Sequence, residues 1–318
     1  MEKKLISVIA PLYNEQETVH AYFEETKKVL DTLKEQYNYE ILMVNDGSKD
    51  DTLAIIKQLQ AEYSKIITVV NLSRNFGLEG AVSAGLRCAS GDAIVVMDAD
   101  LQDPPEVILE MVKKWEQGAD VVTATRKSRN SDSFFKRKSA ELFYKVMGSL
   151  SGKVPIEPGA ANFRLLSRKA CDVLLSLPEA NAVFRVSVPF VGMKREVVYY
   201  DRDKRYAGKT KYNLSSMMSY AADTIFGLSV APLHKIFYIL PLMALLFVGS
   251  IILGIFIPNW RMFFQIMALL SFFFGLLFLV LTIFGEYLAQ IMIEVKKRPL
   301  SIIYECIQSE DAKEKEKK

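Results

Sequence analysis

The sequence has few cysteines, and their spacing favours neither disulfides nor a metal site. Only three occur in 318 residues, at the widely separated positions Cys88, Cys171 and Cys306. We therefore expect ordinary reduced thiols. The net charge is only +3, and no basic-aromatic pattern typical of nucleic-acid binding is present. The sequence accordingly predicts no nucleic-acid partner.

Two further signals are missing from the amino-terminal half. The apolar segment 5–12 follows Lys3 and Lys4, but it is short and has no small-residue cleavage site. We interpret it as a first strand rather than as a signal peptide. No Gly-x-Gly-x-x-Gly motif opens the first predicted helix, so the dinucleotide-binding fingerprint is missing as well.

What the chain does contain is two long uncharged stretches near its carboxyl end. Residues 236–257 and 262–285 carry no charged side chain. Each exceeds the roughly 20 residues that a helix needs to cross a bilayer core of about 30 Å. The connection at Asn259, Trp260 and Arg261 allows only a tight hairpin, so both outer ends must face the same side. The alternative is a buried helical hairpin in a soluble protein.

Basic residues flank both outer ends of this predicted hairpin. They are Lys204, Arg205, Lys209, Lys211 and Lys235 before the first span, and Lys296, Lys297 and Arg298 after the second. The positive-inside rule places such flanks in the cytoplasm. We therefore predict a multi-pass plasma-membrane protein whose amino-terminal domain and both termini are cytoplasmic, with only the Trp260 loop outside.

Residues 1 to 125 alternate between strand and helix patterns. Strands are predicted at 5–10, 40–44, 66–70, 93–97 and 120–125, and helices near 15–33, 51–63, 79–89 and 105–115. The last helix has start signals in Asp103, Pro104, Pro105 and Glu106. Such alternation predicts an α/β domain with a mostly parallel sheet and helices on both faces.

The most informative motif is Asp98-Ala99-Asp100, directly after the fourth predicted strand. Open α/β sheets bind ligands at the carboxyl ends of their strands, where these two carboxylates would lie. Hard oxygen ligands suit Mg²⁺ or Mn²⁺, which usually share their coordination shell with substrate phosphates. The alternative is a polar turn that caps the next helix.

Polar segments also follow the first three predicted strands, at 11–15, 45–52 and 71–77. With the sequence DADLQDPPE and the carboxyl-terminal hairpin, they make residues 5–300 resemble family 2 glycosyltransferases of the GT-A fold. The resemblance is greatest to the membrane-anchored polyprenyl-phosphate glycosyltransferases, the group of bactoprenol glucosyltransferases and dolichol-phosphate mannose synthases. It implies a Rossmann-like GT-A domain, interfacial helices and a two-helix transmembrane hairpin.

We accordingly divide the chain into four parts. Residues 1–212 are expected to form the cytosolic GT-A catalytic domain, and 213–231 an interfacial amphipathic helix. Residues 232–288 would form the two-span hairpin, and 289–318 a cytosolic tail. A second basic and aromatic segment, 134–145, fits a helix lying against anionic headgroups, although a solvated basic face is the alternative.

The resemblance also implies a site for a nucleotide-sugar donor. Asp98 and Ala99 would face the nucleotide, while Asp100 and Gln102 would coordinate a Mg or Mn cation that bridges the diphosphate. The other positions assigned to donor binding are Pro11, Tyr13, Glu15, Asp46, Arg126, Arg164 and Arg185. Simple packing of Tyr13 and an Asx-turn at Asp46 are the alternatives.

A basic loop further along the chain matches the family motif Arg-x-x-Gly-x-Ser/Thr-Lys. Arg205, Gly208, Thr210 and Lys211 are in register with it. Arginine can form paired hydrogen bonds with phosphate oxygens, and lysine supplies a point charge. We expect this loop to close over the diphosphate, with Arg205 and Lys211 stabilising the leaving group.

Two positions depart from the family pattern. Relatives commonly have Asp-Phe-Arg-Leu in the acceptor region, whereas this chain has Asn162 followed by Phe163, Arg164 and Leu165. Asn162 cannot accept a proton. Either an ionised acceptor needs no base, or the protein has altered specificity or reduced activity. At the second position, many relatives have a lysine or arginine followed by glycine. Here Arg185 keeps the cation expected at the donor site, but Val186 and Ser187 follow it.

The resemblance implies inverting transfer of a hexose from a UDP-sugar, UDP-glucose or UDP-N-acetylglucosamine, to undecaprenyl phosphate at the cytoplasmic membrane face. The product would serve glycosylation of a cell-surface polymer. A processive or other-acceptor glycosyltransferase and a catalytically impaired nucleotide-sugar-binding scaffold are the alternatives. Homo-oligomerisation and a flippase acting downstream stay open as further partnerships.

Overall fold

The computed structural model describes residues 3–127, 160–177, 184–201 and 261–316. The chain divides into two units. The first comprises Met1–Glu141, Pro155–Asn213 and Pro299–Lys318, and the second Leu142–Val154 and Leu214–Arg298. The predicted interfacial helices and the first predicted membrane span, 236–257, lie outside the described residues.

The first unit contains one mixed sheet of eight described strands, in the order β7-β5-β6-β4-β1-β2-β3-β8. The strands are β1 Lys4–Leu12, β2 Tyr37–Asn45, β3 Ile67–Leu72, β4 Ala93–Val96, β5 Val121–Arg126, β6 Ala160–Ser167, β7 Arg195–Tyr200 and β8 Ile303–Ile307. The central strands β4, β1, β2 and β3 run parallel to one another. β6 lies antiparallel between β4 and β5, β7 is parallel to β5, and β8 is antiparallel to β3.

Helices cover both faces of this sheet. They are α1 Val19–Asp31, α2 Thr52–Glu62, α3 Leu78–Cys88, α4 Val107–Glu116, α5 Arg168–Ser176, α6 Phe184–Val191 and α8 Glu310–Glu316. Successive strand residues point to opposite faces. In β1, Val8 packs into one buried cluster with α1, α2 and α4, whereas Ile9 packs into the other with α3 and α5. The predicted α/β architecture is therefore confirmed, and its apolar strands are buried on both sides.

The second unit is described only by α7, Arg261–Lys296. Its stretch Phe272–Lys296 is long and apolar enough to cross a membrane, with a mean hydropathy of 2.1, and all of its side chains other than Tyr287 are exposed or half-buried. Large side chains such as Phe278 and Leu288 are about two-thirds exposed, at 65% and 64%. This helix coincides with most of the second predicted span.

The carboxyl-terminal segment of the first unit adds a strand at the sheet edge. Residues predicted only as a tail form β8, which pairs with β3, and α8, which follows it. Ser309 lies between these elements, and its backbone N–H donates to Thr68 Oγ1 at 3.0 Å. The salt bridges Lys57–Glu305 and Lys315–Asp92 hold the segment further. The sequence analysis predicted only a tail here and did not identify this strand.

A buried carboxylate links this segment to the centre of the sheet. Glu40, in β2, accepts hydrogen bonds from Ser7 Oγ at 2.6 Å and Thr68 Oγ1 at 3.0 Å. It also accepts from the Ser90 backbone N–H at 2.9 Å and from Ser309 Oγ at 3.4 Å. Burial raises the pKa of Glu40, and these hydrogen bonds counteract part of that effect. The carboxylate thus joins three strands and the carboxyl-terminal segment.

Thr68→Val should loosen the carboxyl-terminal segment, because it removes a donor to Glu40 and the acceptor of the Ser309 N–H while changing the volume little. We expect a loss of roughly 1–3 kcal/mol, the usual effect of a buried group left without its partner. Amide hydrogen exchange in peptides covering 299–316 should become faster in the variant. Thr32→Val, at the exposed end of α1, is the control. Equal exchange protection in both variants would contradict this role of Thr68.

Candidate functional site

The site residues predicted from the sequence gather at one edge of the sheet. β1, β2, β3 and β4 are parallel, so their carboxyl ends at Leu12, Asn45, Leu72 and Val96 meet at this edge. The loops that follow these strands carry the polar motifs. This is the edge at which open α/β sheets bind ligands.

The loops after β1 and β2 are joined by reciprocal hydrogen bonds. The Asn14 N–H donates to Ser48 Oγ at 3.0 Å, and the Lys49 N–H donates to Asn14 Oδ1 at 2.8 Å. Asn14 has a φ of 51°, in the left-handed region that asparagine tolerates better than most residues. The Glu15 N–H donates to Thr52 Oγ1 at 2.9 Å. The two loops, residues 13–18 and 46–51, are therefore held together, and we call the surface that they form the floor of the site.

The predicted donor-binding residues of the first loop occupy different positions on this floor. Pro11 is paired with Val44 inside the sheet, one residue before the end of β1. Tyr13 is half-buried in the loop. The Glu15 carboxylate accepts the Thr18 hydroxyl at 3.0 Å, so it also stabilises the start of α1. A ligand-binding role for these residues stays a prediction.

Asp46 binds the loop that follows β3. One of its carboxylate oxygens accepts the Phe76 N–H at 2.7 Å, and the other accepts the Gly77 N–H at 2.9 Å. Gly47 has a φ of 63°, and a Cβ there would lie 2.5 Å from the Arg74 carbonyl carbon. Only glycine permits this close approach. Burial raises the pKa of Asp46 to about 6, while the two backbone hydrogen bonds and Arg74 act in the opposite direction.

The loop after β4 carries the Asp-Ala-Asp motif. Asp98, Asp100 and Gln102 are half-buried, and Ala99 is buried. Asp100 Oδ1 accepts the Gln102 N–H at 3.1 Å, which folds the loop into a tight turn around Leu101, whose φ is 55°. The loop thus presents two carboxylates and one carboxamide at the ligand-binding edge.

These oxygen donors fit a Mg²⁺ or Mn²⁺ ion only in part. Within the part of the chain that the structure describes, no group of three His, Cys, Asp or Glu side chains is placed to hold a metal. Mg²⁺ commonly takes one or two protein carboxylates and completes its shell with substrate phosphates and water. The donor set therefore suits a metal that arrives with a diphosphate.

Arg126 forms a cluster that the sequence analysis did not identify. Its Nη2 lies 3.7 Å from Asp103 Oδ1, and its Nε donates to the Tyr200 hydroxyl at 3.4 Å. The Tyr200 hydroxyl itself donates to Asp103 Oδ1 at 2.5 Å. Asp103 belongs to the segment predicted to precede the helix start at Val107, and α4 does begin at Val107. The contact of its side chain with Tyr200 was not predicted. Because Tyr200 is 97 residues away in sequence, no local pattern indicated this contact.

Asn162 and Arg164 lie in β6, beside β4. Arg164 is opposite Val96 in the antiparallel register, so Asn162 lies two residues nearer the carboxyl edge, on the same face. Both side chains are buried, and Arg164 Nη1 donates to the Phe184 carbonyl at 3.5 Å. The strand therefore brings Asn162 alongside the Asp98 loop. Arg205, Lys211 and the side chain of Arg185 lie outside the described residues, and their roles stay predictions.

Comparison with known proteins identifies the family. The family model described as Glycosyl transferase family 2 matches residues 7–175, which is more than half of the chain. The chain belongs to this family. The ligand-binding edge described above thus belongs to a family 2 fold. The resemblance described from the sequence motifs is confirmed.

Relatives of this family 2 chain match it over nearly its full length. An uncharacterised glycosyltransferase of Bacillus subtilis (strain 168) is 40% identical over 314 residues, covering 93% of this chain and 92% of its own. The bactoprenol glucosyl transferase of Shigella phage SfII is 37% identical over 303 residues, which cover 94% of this chain and 97% of the relative. Among solved structures, glucosyl-3-phosphoglycerate synthase from Mycobacterium tuberculosis, in complex with Mn²⁺ and UDP, has a TM-score of 0.47 at 20% identity, covering 70% and 78%.

Asp46→Asn should alter the pH dependence of stability of this family 2 protein. The pKa of Asp46 rises from 3.8 to about 6 on folding, so between these values the folded state holds the proton more tightly than the unfolded state. Wild-type stability must therefore fall as the pH rises through this window, and the non-titrating variant lacks that loss. The unfolding temperature of the variant minus that of wild type should increase from pH 4.5 to about pH 6 and then level off.

Thermal unfolding of the full-length protein in detergent measures this difference. Asp172→Asn, on the exposed surface of α5, is the matched control. A difference between Asp46→Asn and wild type that does not change with pH would contradict the raised pKa.

Proposed function

We propose that this family 2 protein transfers a hexose from a nucleotide sugar, UDP-glucose or UDP-N-acetylglucosamine, to undecaprenyl phosphate. The reaction would invert the anomeric configuration and supply cell-surface polymer glycosylation. The observation that carries the proposal is the similarity to bactoprenol glucosyl transferases over 94% of this chain, a range that includes the apolar helix α7. A soluble acceptor would not require such a helix.

The geometry of the sheet edge supports a donor site. Asp46 follows β2, while Asp98 and Asp100 follow β4, so acidic groups lie at the same edge on either side of β1. The Asp46 carboxylate can accept further hydrogen bonds from an imide N–H or from ribose hydroxyls. Pro11, Tyr13 and Glu15 would line the base and ribose from the joined loop.

A divalent cation would be held by Asp100 and Gln102 together with diphosphate oxygens. When bound, such a cation neutralises the charge that develops on a leaving diphosphate. Two negatively charged partners, the carboxylates and the diphosphate, would otherwise repel each other at this edge. Arg205 and Lys211 are proposed to add positive charge that stabilises the leaving diphosphate.

The acceptor itself supplies the nucleophile. A phosphate monoester has a second pKa near 6, so at neutral pH it is already an oxyanion. It can attack the anomeric carbon directly, on the face opposite the departing nucleoside diphosphate, and it needs no protein carboxylate to remove a proton. Asn162 would orient the phosphate, because its amide can donate hydrogen bonds. Arg185 would supply a positive charge at the donor site. Alignment of the two reactants is then the main contribution of the protein.

The proposed location is the cytoplasmic face of the plasma membrane. The uncharged stretch 236–257 would form the first span, and α7 would cross the bilayer as the second. Lys296, Lys297 and Arg298 at the end of α7 favour a cytoplasmic position for this end by the positive-inside rule. The catalytic domain and both termini would then lie on the side that contains nucleotide sugars.

Asp100→Asn should abolish most transfer, because the amide keeps the shape of the side chain but removes the charge that holds the cation. Detergent-solubilised protein is incubated with undecaprenyl phosphate, Mn²⁺ or Mg²⁺, and a panel of radiolabelled UDP- and GDP-sugars. Label that enters the chloroform phase reports transfer and identifies the sugar. Asp172→Asn is the control. Wild-type protein that labels no polyprenyl phosphate with any sugar would sink the proposed function, and a fully active Asp100→Asn would sink the metal assignment.

Asn162→Asp should change the rate only modestly if the ionised acceptor needs no base. A new negative charge near an anionic acceptor costs Coulomb energy that any proton acceptance must offset. The rate of the natural protein should follow ionisation of the acceptor phosphate as the pH rises through about 6. A gain of roughly a thousandfold in Asn162→Asp, about 4 kcal/mol of barrier, would instead show that the natural protein is an impaired transferase.

A further inference from the structure

Three side chains from separate segments meet beside the loop that carries Asp98 and Asp100. Arg126 and Tyr200 are the last residues of β5 and β7, and they pair directly in the parallel register. Asp103 comes from the loop after β4, which is separated from β5 in the sheet by β6. The contact between Asp103 and Tyr200 of β7 therefore reaches across the ends of both β6 and β5.

Two members of the cluster, Asp103 and Tyr200, are buried, whereas Arg126 is half-buried. Asp103 is 1% exposed and Tyr200 is 4% exposed. Burial raises the pKa of Tyr200, so its hydroxyl stays protonated and donates to Asp103 at all physiological pH values. The Tyr200 ring also packs edge-on against Phe163 of β6, with ring centroids 6.1 Å apart. The ring alone would keep its place without the hydroxyl, which separates packing from hydrogen bonding experimentally.

The loop between β4 and Asp103 is short and is held at both ends. At its start, the Met97 N–H donates to the Ile9 carbonyl at 3.0 Å. At its end, Asp103 binds Tyr200 and lies near Arg126. Between them, Leu101 has a φ of 55°, a conformation that a branched aliphatic residue adopts only when its surroundings impose it. Release of the second end would let Leu101 relax and would displace its neighbours.

Those neighbours are Asp100 and Gln102. We propose that Asp103, Tyr200 and Arg126 form an anchor that positions the Asp100–Gln102 turn for a divalent cation bound with a nucleoside diphosphate. The inference rests on the proposed function, since it requires a metal–nucleotide site at Asp100. Tyr200 and Asp103 are positioning residues in this scheme. Arg126 acts through them rather than by touching the nucleotide.

Tyr200→Phe tests the anchor because it removes one hydroxyl and keeps the ring. Mn²⁺ binding to the full-length protein in detergent is measured in the presence of UDP by the electron paramagnetic resonance signal of free Mn²⁺. We expect Mn²⁺ to bind about tenfold more weakly, the lower end of the range for loss of a group that orients a metal ligand. Tyr199→Phe is the matched control, since this neighbouring side chain is 60% exposed. Its Mn²⁺ affinity should equal that of wild type.

A second measurement separates positioning from general damage. Uridine binding without metal, followed by calorimetry, should be the same in Tyr200→Phe as in wild type, because the floor around Asp46 is held by other contacts. Asp103→Asn, which retains an acceptor for Tyr200 but loses the charge beside Arg126, should also weaken Mn²⁺ binding.

The outcomes distinguish the two proposals. Unchanged Mn²⁺ affinity in Tyr200→Phe, with normal binding in wild type, would overturn the anchor and leave the proposed function standing. Equal weakening of Mn²⁺ and uridine binding, together with a lower unfolding temperature, would also overturn it in favour of a general structural role. Wild-type protein that binds no Mn²⁺ with UDP would overturn the metal site of the proposed function together with the anchor.

Discussion

The parallel hydrogen bonding of β4, β1, β2 and β3 is the constraint on which the rest of the structure depends. Because these strands run in the same direction, the loops that leave them all start at one edge. Asp46 and Asp98 are far apart in sequence, yet the ladder delivers both to that edge. Helices on both faces exclude water from the strands. The backbone N–H and C=O groups of the strands are therefore satisfied mainly by hydrogen bonds to neighbouring strands.

Three buried acidic side chains, Glu40, Asp46 and Asp103, have different structural roles in this domain. Glu40 joins strands and the carboxyl-terminal segment, and it is placed away from the ligand-binding edge by its register with Ser7. Asp46 orders the loop after β3 through two backbone N–H groups. Asp103 ties the loop after β4 to β5 and β7 through Tyr200 and Arg126. Each is a buried acidic side chain that accepts hydrogen bonds from other segments of the chain, as a buried polar group requires.

The distribution of these carboxylates is consistent with the proposed chemistry. Acidic groups on a binding edge repel a diphosphate unless a cation lies between them, so the edge favours a donor that arrives with its metal. The acceptor proposed for this protein carries its own negative charge and needs no base. Under that scheme, an uncharged residue at position 162, near the start of β6, is favourable. A carboxylate in place of Asn162 would repel the acceptor phosphate.

The sequence by itself determined the α/β class, the family and the strand-end positions of Asp46, Asp98 and Asp100, because strand patterns and short motifs are local features of the chain. It also located the apolar stretch that contains α7. Only the tertiary structure revealed that β8 completes the sheet edge, that Glu40 is bound by Ser309, and that Arg126 contacts Asp103 and Tyr200. These contacts join residues up to 269 positions apart, and their partners are determined by the packing of the sheet, which no local pattern encodes.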